Sequence, residues 1–144
     1  MKNPTIYIGA DHAGFTLKEK LLPLLRKHGY DVQDMTPGFM EGDDYPPIGK
    51  TLARRIAGSK SKGILVCGSG VGVAIAANRI KGARAVEAHS EHQVKKAREH
   101  NDVNILTLGG WNTTPAKALS LIRTFMQTPF SSAERHRRRV KQLG

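Results

Sequence analysis

Short runs of β-branched and apolar residues alternate along this chain with stretches whose apolar positions recur every three or four residues. Residues 5–10, 30–33, 63–67, 83–88 and 104–108 show the first pattern, each bounded by Gly, Asp or Asn turn residues. The first, third and fifth runs are apolar at nearly every position, which predicts strands covered on both faces. Between the runs, residues 15–27 carry Leu17, Leu21, Leu24 and Leu25 on one stripe, with Gly29 following as a helix stop. Pro46 or Pro47 opens a second helix with Ile48, Leu52, Ala53 and Ile56 at helical spacing before Gly58. Helices are expected over 72–79, 91–99 and 115–127, the last with Ala118, Leu121, Ile122, Phe125 and Met126 on one face. A final basic helix starts near residue 132, capped by Ser131 or Ser132 and carrying Glu134 in its first turn. Five strands joined by helical crossovers predict an α/β fold with an open parallel sheet, whose ligands bind at the carboxyl ends of the strands.

A length of 144 residues fits one compact domain, so residues 1–144 are read as a single domain. Apolar residues make up 39% and charged residues 24%, a globular composition. No apolar run approaches the ~20 residues that span a bilayer, which excludes a membrane helix. The apolar segment at residues 6–10 is cut by Asp11 and His12, so no secretory leader is expected. Cys67 is the only cysteine; it excludes an internal disulfide and a cysteine-based zinc site, and it suits a reducing compartment, the cytoplasm. The net charge of +11 attracts anions of any kind, from phosphorylated metabolites to nucleic acid. Five of the last ten residues are Arg or Lys, which reads equally as a nucleic-acid tail, a solvated helix face or a set of phosphate ligands.

The densest chemical signal is Cys67-Gly68-Ser69-Gly70-Val71-Gly72, between the apolar run Ile64-Leu65-Val66 and the small-residue stretch Val73-Ala74-Ile75-Ala76-Ala77. Three glycines in five positions predict a tight turn with its backbone N–H groups facing inward at a helix N-terminus, a nest for anions. A dinucleotide site is weighed because Glu87 lies about 20 residues beyond the glycines. The spacing G-x-G-x-G and the position after the third strand argue against it. Cys67 sits where aligned amides favour a thiolate, a base or nucleophile; position alone leaves open a buried cysteine acting as a small apolar residue. Ser69 either donates a hydrogen bond to substrate or turns the chain. Asp11 and His12 end the first strand on the same sheet edge as Cys67, as a helix cap or as site members. His100, Asn101 and Asp102 fall at the opposite edge, so a catalytic His100 has to act in a neighbouring subunit. His28, His89 and His92 show no ligand spacing, and no metal is expected.

Several segments together carry a resemblance: Gly9-Ala10-Asp11-His12-Ala13-Gly14-Phe15, Asp44-Tyr45-Pro46, Cys67 to Gly72, Ala76-Ala77-Asn78-Arg79, Glu99-His100-Asn101-Asp102, Asn104, and Arg135-His136 to Arg139. In this order, over nearly the whole chain, they resemble the ribose-5-phosphate isomerase B and galactose-6-phosphate isomerase family. The resemblance implies a Rossmann-like three-layer sandwich with a five-stranded parallel sheet and a C-terminal basic helix. It implies a metal-free, cofactor-free aldose–ketose isomerase, working as a homodimer or dimer of dimers with sites shared between subunits. By the same resemblance Cys67 is the base that moves a proton between C2 and C1, and the amides of Gly68, Ser69, Gly70, Val71 and Gly72 hold the enediolate oxygens. His100, helped by Asp11, opens the sugar ring, and Ser69 assists proton movement between oxygens. His12, Arg135 and Arg139 match phosphate ligands; Tyr45 and Asn101 match sugar contacts.

The chain departs from the family pattern at three places. Trp111 stands after Leu108-Gly109-Gly110 where the family usually has a substrate-binding arginine. Glu87 and His89 replace less polar residues, and Ala133-Glu134 replaces a glycine pair before Arg135-His136. The expected activity is interconversion of ribose 5-phosphate and ribulose 5-phosphate in the pentose phosphate pathway. Alternatives are isomerisation of a tetrose phosphate, galactose 6-phosphate or allose 6-phosphate, and, more distantly, a nucleotide- or nucleic-acid-binding module. One Trp, three Tyr and four Phe give no interleaved aromatic-basic pattern for base stacking, so no nucleic-acid partner is expected.

Overall fold

The computed structural model describes residues 2–144. Strands and helices alternate among these residues until a last helix is added: β1 Ile6–Ala10, α1 Phe15–Lys27, β2 Val32–Asp34, α2 Tyr45–Ile56, β3 Lys62–Cys67, α3 Val71–Asn78, β4 Ala85–Glu87, α4 Glu91–Asn101, β5 Ile105–Gly109, α5 Pro115–Gln127 and α6 Glu134–Leu143. The strands form one parallel sheet in the order β2-β1-β3-β5-β4. Its central register sets Ile8 beside Ile64 and Ile64 beside Leu106.

Strand alternation divides the core in two. Ile64 and Val66 of β3 pack with Leu21 and Leu25 of α1, Val94 of α4 and Phe125 of α5. Leu65 and Cys67, one residue out of phase, pack with Leu52 and Ile56 of α2 and Val73 and Ala77 of α3. The result is a three-layer sandwich with α1, α4 and α5 on one face and α2 and α3 on the other. Right-handed crossovers require this division of α1 to α4. The chain moves one way across the sheet from β1 to β2 and from β4 to β5, and the other way from β2 to β3 and from β3 to β4. The segments leaving β1 and β3 therefore part to opposite faces, and a crevice opens between the carboxyl ends of these two adjacent strands.

Most boundaries match the hydrophobic pattern, and the differences have local causes. The second strand begins at Val32 rather than residue 30, because the Tyr30 N–H is used on the Leu25 carbonyl to end α1. The fourth strand shrinks to Ala85–Glu87, since Ala83 closes a turn onto Ile80. Neither Ser131 nor Ser132 is the N-cap residue of α6; Ala133 takes that place without a side-chain cap, while Ser131 Oγ contacts His136 Nδ1 at 2.6 Å. A wholly buried lysine, Lys18 of α1, is held by both carboxylate oxygens of Asp34 at 3.2 and 3.0 Å. That pairing compensates a charge that burial alone would make costly.

Candidate active site

A cleft of about 400 Å³ occupies the crevice at the ends of β1 and β3, lined by Asp11, His12, Ala13, Tyr45, Cys67, Gly68, Ser69, Val71, Gly72, Ile75 and Trp111. Asp11 is buried, and its Oδ1 accepts the Gly14 N–H at 3.0 Å. The turn carrying it rests against β3, for a Cβ on Gly14 would lie 2.2 Å from the Val66 carbonyl oxygen. His12 is held by Asp43, whose Oδ1 accepts the His12 N–H at 2.8 Å and lies 3.0 Å from Nδ1. That side-chain bond raises the His12 pKa above its ordinary value against an opposing desolvation, with the Asp11 charge adding to the rise. Donor atoms of Asp11, His12 and Asp43 lie within 4.8 Å of one another, and the acceptors already serve Gly14 and His12. Tyr45 opens α2 and lays its ring over Gly72, where a Cβ would meet Cε1 at 2.6 Å.

Cys67 is the last residue of β3 and only 4% exposed, yet it lines the cleft as well as the apolar layer beneath. Its Sγ accepts the Gly70 N–H at 3.1 Å. Gly70 reaches that position with φ 81°, the left-handed region where a Cβ is strained. Two amides of the turn have partners within the chain. Gly70 donates to sulfur and does not line the cleft, and the Val71 N–H donates to Ser69 Oγ at 3.2 Å.

His100, Asn101, Arg135 and Arg139 do not join this group in the single chain; none lines the cleft. His100 and Asn101 end α4 at the amino-terminal edge of the sheet. The His100 ring stacks on His136 of α6, with centroids 4.4 Å apart and planes at 31°. Desolvation, and then the charges of Arg135, His100 and Arg139, lower the His136 pKa. Two constellations thus lie at opposite edges of one sheet.

A family model described as ribose/galactose isomerase matches residues 6–143. The chain belongs to the ribose/galactose isomerase family. Among its relatives is a ribose-5-phosphate isomerase B from Mycobacterium tuberculosis, 39% identical over 99% of this chain and 90% of the relative. A ribose 5-phosphate isomerase structure from Thermotoga maritima superposes with a TM-score of 0.92 at 38% identity, covering 99% of this chain and 98% of that one. The Mycoplasma genitalium ribose-5-phosphate isomerase B solved with bound ribulose-5-phosphate superposes at 0.90, with 34% identity over 96% of this chain and 93% of that one. These neighbours share the three-layer α/β fold described above.

Two site-supporting residues of this isomerase-family chain escaped the sequence reading. Thr107 is fully buried inside the apolar strand β5, and its hydroxyl donates to the Gly70 carbonyl at 2.6 Å, fixing the left-handed turn under the sulfur. A lone hydroxyl in an otherwise apolar strand was the available signal. Asp43 was hidden in a polar loop among other acidic residues, and only the folded chain shows that it orients His12.

Proposed function

We propose that this chain interconverts ribose 5-phosphate and ribulose 5-phosphate through an enediolate formed over Cys67. Family membership along nearly the whole chain carries the reaction class. The observation that supports the assignment of the base is a lone thiol at the floor of the β1/β3 crevice, with a backbone amide donating to its sulfur. Such a bond is stronger to a thiolate than to a thiol. The Cys67 thiolate takes the proton from C2 of the open-chain aldose, and the electron pair moves onto the C1 oxygen. Charge develops on oxygen only at this step, so fixed donors near it lower the barrier. Gly68, Ser69 and Gly72 line the cleft and are the proposed amides for this role. The Ser69 hydroxyl passes a proton between the two oxygens, and the Cys67 thiol returns its proton to C1 to give the ketose.

We propose that a second copy of the chain completes the site. His100 then opens the sugar ring with Asp11, Asn101 and Tyr45 contact the sugar, and Arg135, Arg139 and protonated His12 hold the phosphate. This reading is supported by α3, whose residues Val71-Gly72-Val73-Ala74-Ile75-Ala76-Ala77 are apolar around the whole helix although only one face is covered. Val71 and Ile75 remain 45% and 54% exposed beside the cleft, the surface expected of a helix that packs against another subunit. A cytoplasmic enzyme accords with the single free thiol, and no helix among the described residues is long and apolar enough to cross a membrane.

The test is turnover of a panel holding ribose 5-phosphate, a tetrose 4-phosphate, allose 6-phosphate and galactose 6-phosphate, with wild type and Cys67→Ala. Ribose 5-phosphate should be preferred, and the variant should fold normally and be inactive. Retained turnover in Cys67→Ala removes the base; preference for another sugar replaces the substrate.

A further inference from the structure

Trp111 is the only tryptophan of the chain and, at 77% exposed, the most exposed large apolar side chain among the described residues. An indole left in water forgoes the free energy of burial, and this one does not hang free on a loose loop. Its backbone N–H donates to the Gly68 carbonyl at 3.0 Å, and the preceding Gly110 N–H donates to the Cys67 carbonyl at 2.7 Å. The segment after β5 is thereby tied to the two residues at the floor of the cleft. The ring lies against Gly68, where an added Cβ would meet Cε2, Cζ2 and Cη2 at 2.5, 2.5 and 2.7 Å. Glycine at position 68 is thus the seat of the indole, and the ring forms a wall of the cleft that holds Asp11, Cys67 and Ser69.

We propose that Trp111 is a specificity-determining residue whose indole face packs on the carbon-bound hydrogens of the open-chain sugar phosphate bound over Cys67. Apart from its one N–H donor the indole is an apolar surface, so it reads the shape of the carbon chain and leaves the phosphate to cations elsewhere. The backbone under the ring is fixed by main-chain bonds and the ring seats on Gly68, so the wall sets a limit on chain length. The inference rests on the isomerase reading above.

Because Trp111 is the sole tryptophan, its emission reports the site directly. Adding ribose 5-phosphate to the intact wild-type protein should shift the emission saturably, at concentrations near KM. Trp111→Phe keeps a smaller ring in place and should raise KM less than Trp111→Ala does. Trp111→Ala should raise KM about three- to tenfold, the range of one aromatic contact. It should also lower the kcat/KM preference for ribose 5-phosphate over galactose 6-phosphate by about threefold or more, since a missing wall admits a longer sugar. The high exposure of the ring makes both variants compatible with the fold. Emission that does not move at saturating substrate, an unchanged KM, or an unchanged preference in Trp111→Ala each overturn the proposal. An emission shift on diluting the substrate-free protein overturns it too, by placing the ring in a subunit contact. A wild type inactive on ribose 5-phosphate overturns the functional reading and this inference together, whereas an active wild type with a silent Trp111 overturns the inference alone.

Discussion

Pairing Cys67→Ala with His100→Asn in one assembly tests the proposed shared site, because a single chain does not bring these two residues together. Cys67 pairs with Gly109 at the carboxyl end of β5, and His100 precedes Ile105, where that strand begins. Five residues of strand at about 3.3 Å each separate the two edges by roughly 15 Å, several times the reach of a hydrogen bond. Each variant alone should be nearly inactive. In a mixed dimer, one site combines both defects and the other combines an intact Cys67 with an intact His100. Heterodimers isolated through two different affinity tags should recover about half of wild-type turnover, and random mixing about one quarter, as two-fold symmetry requires. The assay is aldose-to-ketose conversion at saturating ribose 5-phosphate, with each homodimer as control. Heterodimers as inactive as the homodimers would refute the exchange of residues between subunits. Full activity of His100→Asn alone would refute its proposed role in ring opening.

Two further substitutions probe the supports of the cleft. Thr107→Val leaves the Gly70 carbonyl without its buried donor, and should cost about 1–3 kcal/mol in denaturant unfolding together with a fall in kcat as the amide under Cys67 loses its position. Unchanged stability would show that the hydroxyl is replaced there. Asp43→Asn removes the main cause of the raised His12 pKa, so the His12 titration followed by NMR should move down towards its ordinary value. KM for the sugar phosphate should then exceed that of wild type between about pH 6.5 and the raised wild-type His12 value, and stay near wild type below that window, where both proteins carry a protonated His12. For the wild-type fold, the contribution of the His12–Asp43 pair is fully present below the unfolded His pKa and is lost as pH rises through the folded value. A KM difference independent of pH would show that Asp43 acts by shape alone.

The strand–helix alternation, the sheet type and the edge carrying Asp11, His12 and Cys67 were legible because each rests on local periodicity and one handedness rule. The two edge strands were the least legible. Val32–Asp34 and Ala85–Glu87 pair on one side only, and their ends are set by turns at Tyr30 and Ala83 rather than by apolar pattern. Placement of β5 between β3 and β4 was illegible, since nothing in the order of elements says which neighbour a strand takes. Within the site, the glycine turn announced itself through composition. The use of its amides did not, because the Gly70 N–H reaches the sulfur only after Thr107, 37 residues further along, fixes the turn from the neighbouring strand.

Burial of Cys67 and its access to the cleft have one origin. Alternation along β3 sends Leu65 and Cys67 towards α2 and α3, and the chain leaves the strand immediately afterwards. The helices can therefore cover Leu65 completely, while the sulfur, one pleat further on, meets apolar packing below and the open crevice above. A one-residue shift of β3 against β1 would turn this side chain to the α1 face and carry it away from the Gly70 amide. The register that matches Ile8 with Ile64 and Ala10 with Val66 holds the strand against that shift through residues buried in both strands. Core packing on the two faces of the sheet is thus what aims the thiol, and the glycine turn acts on a sulfur already in place.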